Sequence, residues 1–426
     1  MNRPVASVFT LLGQRRFLPF FLTQFLGAFN DNVFKNALII LIAFNSAETT
    51  RVSTDILTNL SAGLFILPFL LFSATAGQII EKYEKAMSIR YIKLLEVGVM
   101  LAAAVALYLG SLYWLIALLF LMGLQSSLFG PAKYSYIPQH VGRDELVAAN
   151  ALVQSGTFIA ILVGTMTGGL LIAIEQGERA VATAVVLLAL AGYLAARAIP
   201  PTPSHNRELP INWNPFTETW RNLGFIRQSP RVLVAVLGIS WFWFVGATYL
   251  VQLPNFTRVA LSGNEQVVTL LLTLFTVGIG AGSLLCHRFS KQGINFSLVI
   301  TGAAGLSLFG MDMFFATGRQ TTALQGVQAF LQHGENLRVV VDVLGLGVCG
   351  GLYIVPLFTC VQQQVDASRL SRVIAGNNIL NALLMVLSAV LAMLLLGNGV
   401  SIAQLFLLVS VVNLPVGWWV YLRLRY

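Results

Sequence analysis

Charge is what this sequence has least of. Asp, Glu, Lys and Arg make up 10% of its 426 residues against 57% hydrophobic, and the mean hydropathy is +0.78. A soluble domain carries about 25% charged residues, so no water-facing shell can be assembled from so few. Cysteine is nearly absent as well. Cys286, Cys349 and Cys360 show no CxxC or Cys/His spacing and sit in or beside apolar runs. That excludes a zinc site and a disulfide framework and leaves small packing residues. The four histidines, His140, His205, His287 and His333, are scattered through loops and loop edges. No GxSxG, HxxxxD, P-loop or dinucleotide fingerprint stands in a suitable context. Catalytic residues, cofactor and metal are therefore all read as none, and the chain as not an enzyme.

What is abundant is long apolar sequence. A helix that crosses a bilayer needs about 20 apolar residues. Twelve runs qualify: 17–44, 56–80, 88–109, 112–130, 146–174, 180–199, 231–253, 266–286, 294–317, 338–361, 372–396 and 401–422. They are too long and too continuously apolar for barrel strands, which alternate. The fold class is thus an all-α membrane protein. Arg3, Arg15 and Arg16 precede the first run with no small-residue cleavage site after it, the pattern of an uncleaved first span.

The net charge of +9 has the same origin. With the N-terminus placed inside, 20 of the 26 Lys and Arg fall on the inner side. Five (Arg51, Arg179, Arg258, Arg319 and Arg338) fall in outer loops, and Lys35 falls inside a span. This asymmetry puts both termini in the cytoplasm and removes nucleic acid as a partner.

The longest polar break, 200–230, follows the sixth run of twelve. It divides the chain into a six-helix bundle (1–199), a cytoplasmic linker (200–230) and a second six-helix bundle (231–426). The linker's second half puts Phe216, Trp220, Leu223 and Ile226 at helical spacing, as in an amphipathic helix on the inner membrane surface. A second such piece, outside, lies within 321–333, where Leu324, Val327, Phe330 and Leu331 share a face. The halves also resemble each other. LVAANALVQ (146–154) and RVIAGNNIL (372–380) open the fifth and eleventh runs, each after a polar stretch with Gln, Asp and Arg. A 6+6 array with a central linker implies two bodies rocking around a central cavity.

Polar residues inside the spans are few and concentrated in one place. GAFNDNVFKNALI (27–39) places Asn30, Asp31, Asn32, Lys35 and Asn36 within the first span. Gln24, Ala28, Asp31 and Lys35 share a stripe, because residues three and four apart stack. Asp31 is 14 residues from Phe17, about 21 Å along a helix and near the bilayer centre. A carboxylate there costs a few kcal/mol or more unless it meets protein or water. It either pairs internally with Lys35 or faces a cavity as a headgroup or cation site. Among weaker candidates, Glu96 snorkels inward or joins a cluster around Glu81. Asp312 stands near the outer end of its span, and Arg338 and Asp342 read as a local pair.

AGQIIEKYEK (76–85), after the second run, resembles the signature loop of the major facilitator superfamily, with Gly77, Glu81, Lys82 and Lys85 in its positions. The family's usual Asp and second Gly are here Glu81 and Glu84. Physically, Gly77 permits close helix approach, and the charges form a latch that holds the halves together on the inner side in one state. The matching loop, GSLLCHRFSKQG (282–293), keeps Gly282, Arg288 and Lys291 but lacks the acid.

GAFNDNVFKNALI, FGPAKYSYIPQ (129–139) and NPFTETWRNLGFI (214–226) together resemble the bacterial lysophospholipid transporter family within that superfamily. The resemblance covers essentially the whole chain. It implies a major facilitator fold in the bacterial inner membrane and outer-to-inner leaflet transport of lysophosphatidylethanolamine- or lysophosphatidylglycerol-type lipids by alternating access with a lateral opening. It also implies partnership with an inner-face acyltransferase/acyl-acyl-carrier-protein synthetase, domains that some relatives carry fused; here the sequence ends at Tyr426. The transporter is expected to be a monomer among membrane lipids.

On this reading Asp31 meets an ammonium or a coupling cation, and Lys35 meets phosphate. Gln24, Asn30, Asn32 and Asn36 complete hydrogen bonds. Lys133 and Tyr134 receive the headgroup late, or Lys133 binds Glu81, while Asn150 and Gln154 add polar lining. Asn377, Asn378 and Asn381 do so in half two. Gly77, Glu81, Lys82, Lys85 and Arg288 form the latch. Two other readings stand beside it: a cation-coupled exporter of another small amphipathic solute, and a non-transporting anchor for an acyltransferase.

Overall fold

A computed structural model describes residues 8–49, 54–290, 293–316 and 324–425. Arg3, Arg51, Lys291 and Arg319, which enter the charge count or the latch, and 321–323 of the second amphipathic piece lie outside them.

Each apolar run is a helix. The first half holds α1 (Leu18–Thr49), α2 (Thr54–Lys82), α3 (Lys85–Tyr108), α4 (Leu112–His140), α5 (Leu146–Ile172) and α6 (Gly177–Arg197). α7 (Pro215–Arg227) lies in the linker. The second half holds α8 (Pro230–Ala260), α9 (Glu265–Phe289), α10 (Ser297–Phe315), the short α11 (Val327–Leu331), α12 (Gly334–Gln364), α13 (Leu370–Gly397) and α14 (Ile402–Arg425). Among the described residues, twelve of these are long and apolar enough to cross a bilayer. They are helical because lipid offers no partner for a free backbone group, and a helix satisfies its own.

Within the first half, α1 packs on α5, α2 on α4 and α3 on α6; within the second, α9 on α12, α8 on α13 and α10 on α12 and α14. The halves meet along two main seams, α5 on α9 and α2 on α13. Those seams use the two helices that open with the matching stretches, so the internal likeness marks equivalent positions.

Local chemistry sets the boundaries. Glu84, which replaces the second Gly of the signature loop, is the N-cap of α3: its carboxylate accepts from the backbone N–H groups of Ala86 (3.0 Å), Met87 (2.6 Å) and Thr202 (2.5 Å). This satisfies orphan donors of the first turn and ties the start of the linker to the first half. Gln78 and Asn212 exchange hydrogen bonds of 3.0 and 2.8 Å, which fastens the linker's middle to the same half. Asn214 then caps α7 at Phe216 N and Thr217 N, with Pro215 in the first turn. The second amphipathic piece is the single turn of α11, with Phe330 buried and Leu324 exposed.

Candidate functional site

The surroundings of α1 decide where its polar residues point. Toward α5, Phe29 and Val33 lie against Gly164 and Gly168, so closely that a side chain at Gly168 would run into the Val33 carbonyl. Toward α3, a side chain on Gly27 would collide with the Lys93 ammonium. The stripe left over, Phe21, Phe25, Ala28, Asp31 and Lys35, is partly exposed. α1 touches both α2 and α5, the two helices of its half that carry the seams, and the stripe's charged members meet α4 and α2.

Asp31 and Lys35 do not pair: among the described residues no ion pair joins them. Asp31 Oδ2 accepts from Ser126 Oγ on α4 at 2.6 Å, and its Oδ1 has no partner. Lys35 places its ammonium over the Phe65 ring of α2, 5.3 Å from the centroid, a cation–π contact.

The charges behind this stripe are fully matched. Lys93 and Glu96, each 1% exposed, form an ion pair of 2.5 Å. Glu96 also accepts from Asn30 Nδ2 (3.1 Å) and Gln125 Nε2 (3.0 Å). Two expectations are corrected here. Glu96 neither snorkels nor joins Glu81, and Lys93, counted on the inner side, lies in the core, because each supplies the countercharge that burial demands. Gly27, whose missing side chain makes room for Lys93, was the readable signal. A chain of contacts continues outward, since Ser126 Oγ is also 3.2 Å from Gln125 Oε1. Sequence reading missed Lys93, Gln125 and Ser126.

The amides divide differently from expectation. Asn30 is bound to Glu96, Asn32 donates to the Ala28 carbonyl of its own helix (2.7 Å), and Asn36 donates to Thr165 O on α5 (2.8 Å). Each hydrogen bond secures packing. Gln24 keeps a free Nε2 while its Oε1 meets the Thr157 hydroxyl at 2.9 Å. Thr157 in turn accepts from Lys133 Nζ at 2.7 Å. Lys133 therefore has a hydroxyl partner and no carboxylate, and it does not reach Glu81.

Tyr134, Asn150 and Gln154 lie where the halves close on the side of the linker. The Tyr134 ring stacks on Phe358 of α12 at 4.2 Å and 6°. Gln154 Nε2 donates to the Tyr134 hydroxyl (3.2 Å). Asn150 Nδ2 donates to Gln362 Oε1 (2.6 Å) and Thr359 Oγ1 (3.1 Å), and Gln362 Nε2 donates to Tyr134 O (3.0 Å). Ser371 bonds Ser135, and Ser155 donates to Gly280 O. Pro131 and Pro356 interrupt the two helices a turn or less before the stacked rings, where a helix bends most readily. Among the described residues, the hydrogen bonds and ion pairs between the bundles all involve the linker-side halves of the helices, so the molecule is closed on that side.

The latch is part of this closure. Glu81 Oε1 pairs with Arg372 Nη2 of α13 at 2.9 Å; the side chains are 1% and 7% exposed. Gly77 lies against α13, where any side chain would strike Ala375. Lys85 is buried nearby with no hydrogen-bond partner at its ammonium, and Lys82 lies beside Tyr83. Arg288 is exposed and joins no ion pair among the described residues, and Gly282 packs on α12 of its own half. Arg372 went unnoticed as the partner, although it opens the second of the matching stretches. Far from the linker, Arg338 makes a two-pronged contact with Asp312 of α10. The expected Arg338–Asp342 pair is thus corrected, because both prongs of the guanidinium are taken by the Asp312 carboxylate, and Asp342 keeps an oxygen without a partner.

The comparisons with known proteins agree with this architecture. The family model described as Major Facilitator Superfamily matches residues 20–389. The lysophospholipid transporter LplT of Escherichia fergusonii is 28% identical over 407 residues, covering 92% of this chain and 89% of its own. That of Klebsiella pneumoniae (strain 342) is 28% identical over 356 residues, covering 80% and 78%. Among solved structures, the human organic anion transporter MFSD10 superposes with a TM-score of 0.76 at 14% identity, over 95% of this chain and 99% of that one. The proton:xylose symporter XylE does so at 0.70 and 13%, over 97% and 95%. At such identities the likeness speaks for the fold. With twelve spanning helices in two bundles closed against each other on one side, and a family match over most of its length, the chain belongs to the major facilitator superfamily.

Proposed function

We propose that this protein transports lysophospholipids across the bacterial inner membrane by alternating access. The observation that carries the reading is a set of three charges on α1 and α4, Asp31, Lys35 and Lys133, none in an ion pair, beside the matched Lys93–Glu96 pair. An unmatched intramembrane charge is costly and marks a ligand path. A lysophospholipid brings the complement: a phosphate for a lysine and, in the ethanolamine type, an ammonium for Asp31. The curated relatives' names support the same cargo.

The steps follow from the geometry. With the linker side closed, the headgroup enters from the far side, its phosphate at Lys35 and its ammonium at Asp31, while the acyl chain stays in lipid through a lateral opening. Opening requires the Tyr134–Phe358 stack, the Asn150–Gln362 bonds and the Glu81–Arg372 bridge to part. Lys133 then lies on the exit route and receives the phosphate from Lys35. The lysine and arginine asymmetry puts both termini, and hence the linker side, at the cytoplasmic face; transport runs from outer to inner leaflet and delivers the lipid to an inner-face acyltransferase. The protein acts as a monomer.

The test is reconstitution in liposomes carrying labelled lysophosphatidylethanolamine or lysophosphatidylglycerol, with leaflet location followed over time. Movement above that of empty vesicles is expected, with that of lysophosphatidylethanolamine lowered in Asp31→Asn. Movement no faster than in empty vesicles overturns the proposal.

A further inference from the structure

We propose that α7 is a contact site for anionic phospholipid headgroups on the linker side of the membrane, and that this contact props the Glu81–Arg372 bridge. α7 has two opposed faces. Glu218, Asn222 and Ile226, four residues apart, are buried against the protein, and Ile226 lies close against Gly376 of α13. On the other side Trp213, Phe216 and Trp220 are 71, 74 and 67% exposed. Arg221 and Arg227 flank them and are exposed. The helix ends three residues before α8 begins and packs on the first turns of α13, so it sits level with the ends of the spans. Large aromatics at that level rest among headgroups and acyl-chain roots. Arginines beside them add attraction to an anionic surface. Glu218, the acid of α7, is turned inward, 3.7 Å from Arg221, so the exposed face is cationic. Those charges select anionic over zwitterionic lipid as the occupant.

The buried face gives the contact a consequence. The Arg372 guanidinium lies 4.5 Å from the centroid of Phe225, and Arg369 lies 5.3 Å from the same ring. Arg369 also donates to Gln228 Oε1 at 3.1 Å. Phe225 thus backs the arginine that bridges to Glu81 of the first half. A helix held at the membrane keeps Phe225 behind Arg372; a helix that lifts away releases it. Anionic lipid therefore favours the state closed on the linker side.

The three cysteines are buried, so a thiol-reactive nitroxide can be directed to an introduced cysteine. Two measurements on the full chain in nanodiscs test the proposal without any cargo, so their failure is separate from failure of the transport reading. The first places a nitroxide at Thr217→Cys and measures its depth in zwitterionic discs and in discs with phosphatidylglycerol. The label is expected to sink with phosphatidylglycerol and to rise again in high salt. A label at aqueous depth in both membranes overturns the lipid contact and points to a protein partner for this face. The second places nitroxides at Met87→Cys and Arg423→Cys, at the linker-side ends of α3 and α14. Phosphatidylglycerol is expected to enrich the short-distance population severalfold. That enrichment should vanish in Trp213→Ser/Phe216→Ser/Trp220→Ser, whose altered side chains are all exposed. Distances indifferent to lipid, or equally responsive in the triple variant, overturn the prop.

Discussion

The two halves share a fold and differ in what they bury. The first places Asp31, Lys35, Lys93, Glu96 and Lys133 within its spans. The second uses neutral bonds, Ser240 to Asn381 (2.8 Å), Asn413 to Ser307 (2.9 Å) and the Trp241 indole to Asn413 (2.9 Å), and buries fewer charges: Asp342, one oxygen of which has no partner, and Arg372, which bridges to Glu81. Its Arg338–Asp312 pair stands at an exposed end. Amides and hydroxyls suffice to lock helices together in lipid, so charge in the first half is not needed for assembly as such. The difference teaches that buried charge is concentrated in the first bundle, the one to which the proposed function assigns the polar head. Within the first half the contrast repeats: Lys93 and Glu96 are matched, and Asp31, Lys35 and Lys133 are not.

The hardest blow to this contrast comes from unmatching the matched pair. Glu96→Gln or Lys93→Met alone strands a buried charge and is expected to cost about 3–5 kcal/mol, seen as a large drop in melting temperature in detergent. Lys93→Met/Glu96→Gln together should recover most of it; a double variant as unstable as the singles would show that the pair does more than neutralise itself. Next comes the unmatched set. Asp31→Asn is expected to melt close to wild type and to lower transport of lysophosphatidylethanolamine about 10- to 100-fold, the worth of a hydrogen bond to a charged group. A melting temperature that falls as far as in Glu96→Gln would place Asp31 with the structural charges. Glu81→Gln should change balance more than stability: spin-label distances across the linker side should lengthen, and wild-type distances would argue against a latch. A smaller effect lies at the Arg16–Glu145 bridge of 2.6 Å. Partial burial works against the Glu145 charge, but the Arg16 guanidinium and the Gly142 N–H outweigh it and hold the carboxyl below its ordinary value. Its contribution is therefore present above the ordinary carboxyl range and is lost as pH falls through the depressed value. Glu145→Gln should flatten the acid limb of a melting-temperature profile. Last, Arg338→Gln, at an exposed pair, should leave both melting and transport unchanged.

Much of this was legible in the sequence. Hydropathy alone placed the twelve spans, because length and apolarity in lipid leave only one solution. The linker helix was legible from the spacing of Phe216, Trp220, Leu223 and Ile226. Contacts between helices were not, because they depend on the rotation of each helix about its axis, which a nearly all-apolar sequence hardly encodes. So Glu96 could not be assigned to Asn30 and Gln125, which are 66 and 29 residues away. Asn32 and Asn36, expected to complete hydrogen bonds to the cargo, bond their own helix and α5. The Glu81–Arg372 bridge joins residues almost 300 positions apart, and only the repeat hinted at equivalent seams.

The linker's fastening sets a mechanical limit on the transport cycle. Its first part is stitched to one body at Glu84 and Gln78, and α7 rests on α13 and α8 of the other while still touching α2 of the first. From Asn212 to Pro215 only three residue steps are left to stretch, about 10 Å when drawn out straight. That tether bounds how far the two bodies can separate there before one of its anchors must let go, and a few inserted glycines would lengthen the leash without touching the cargo path.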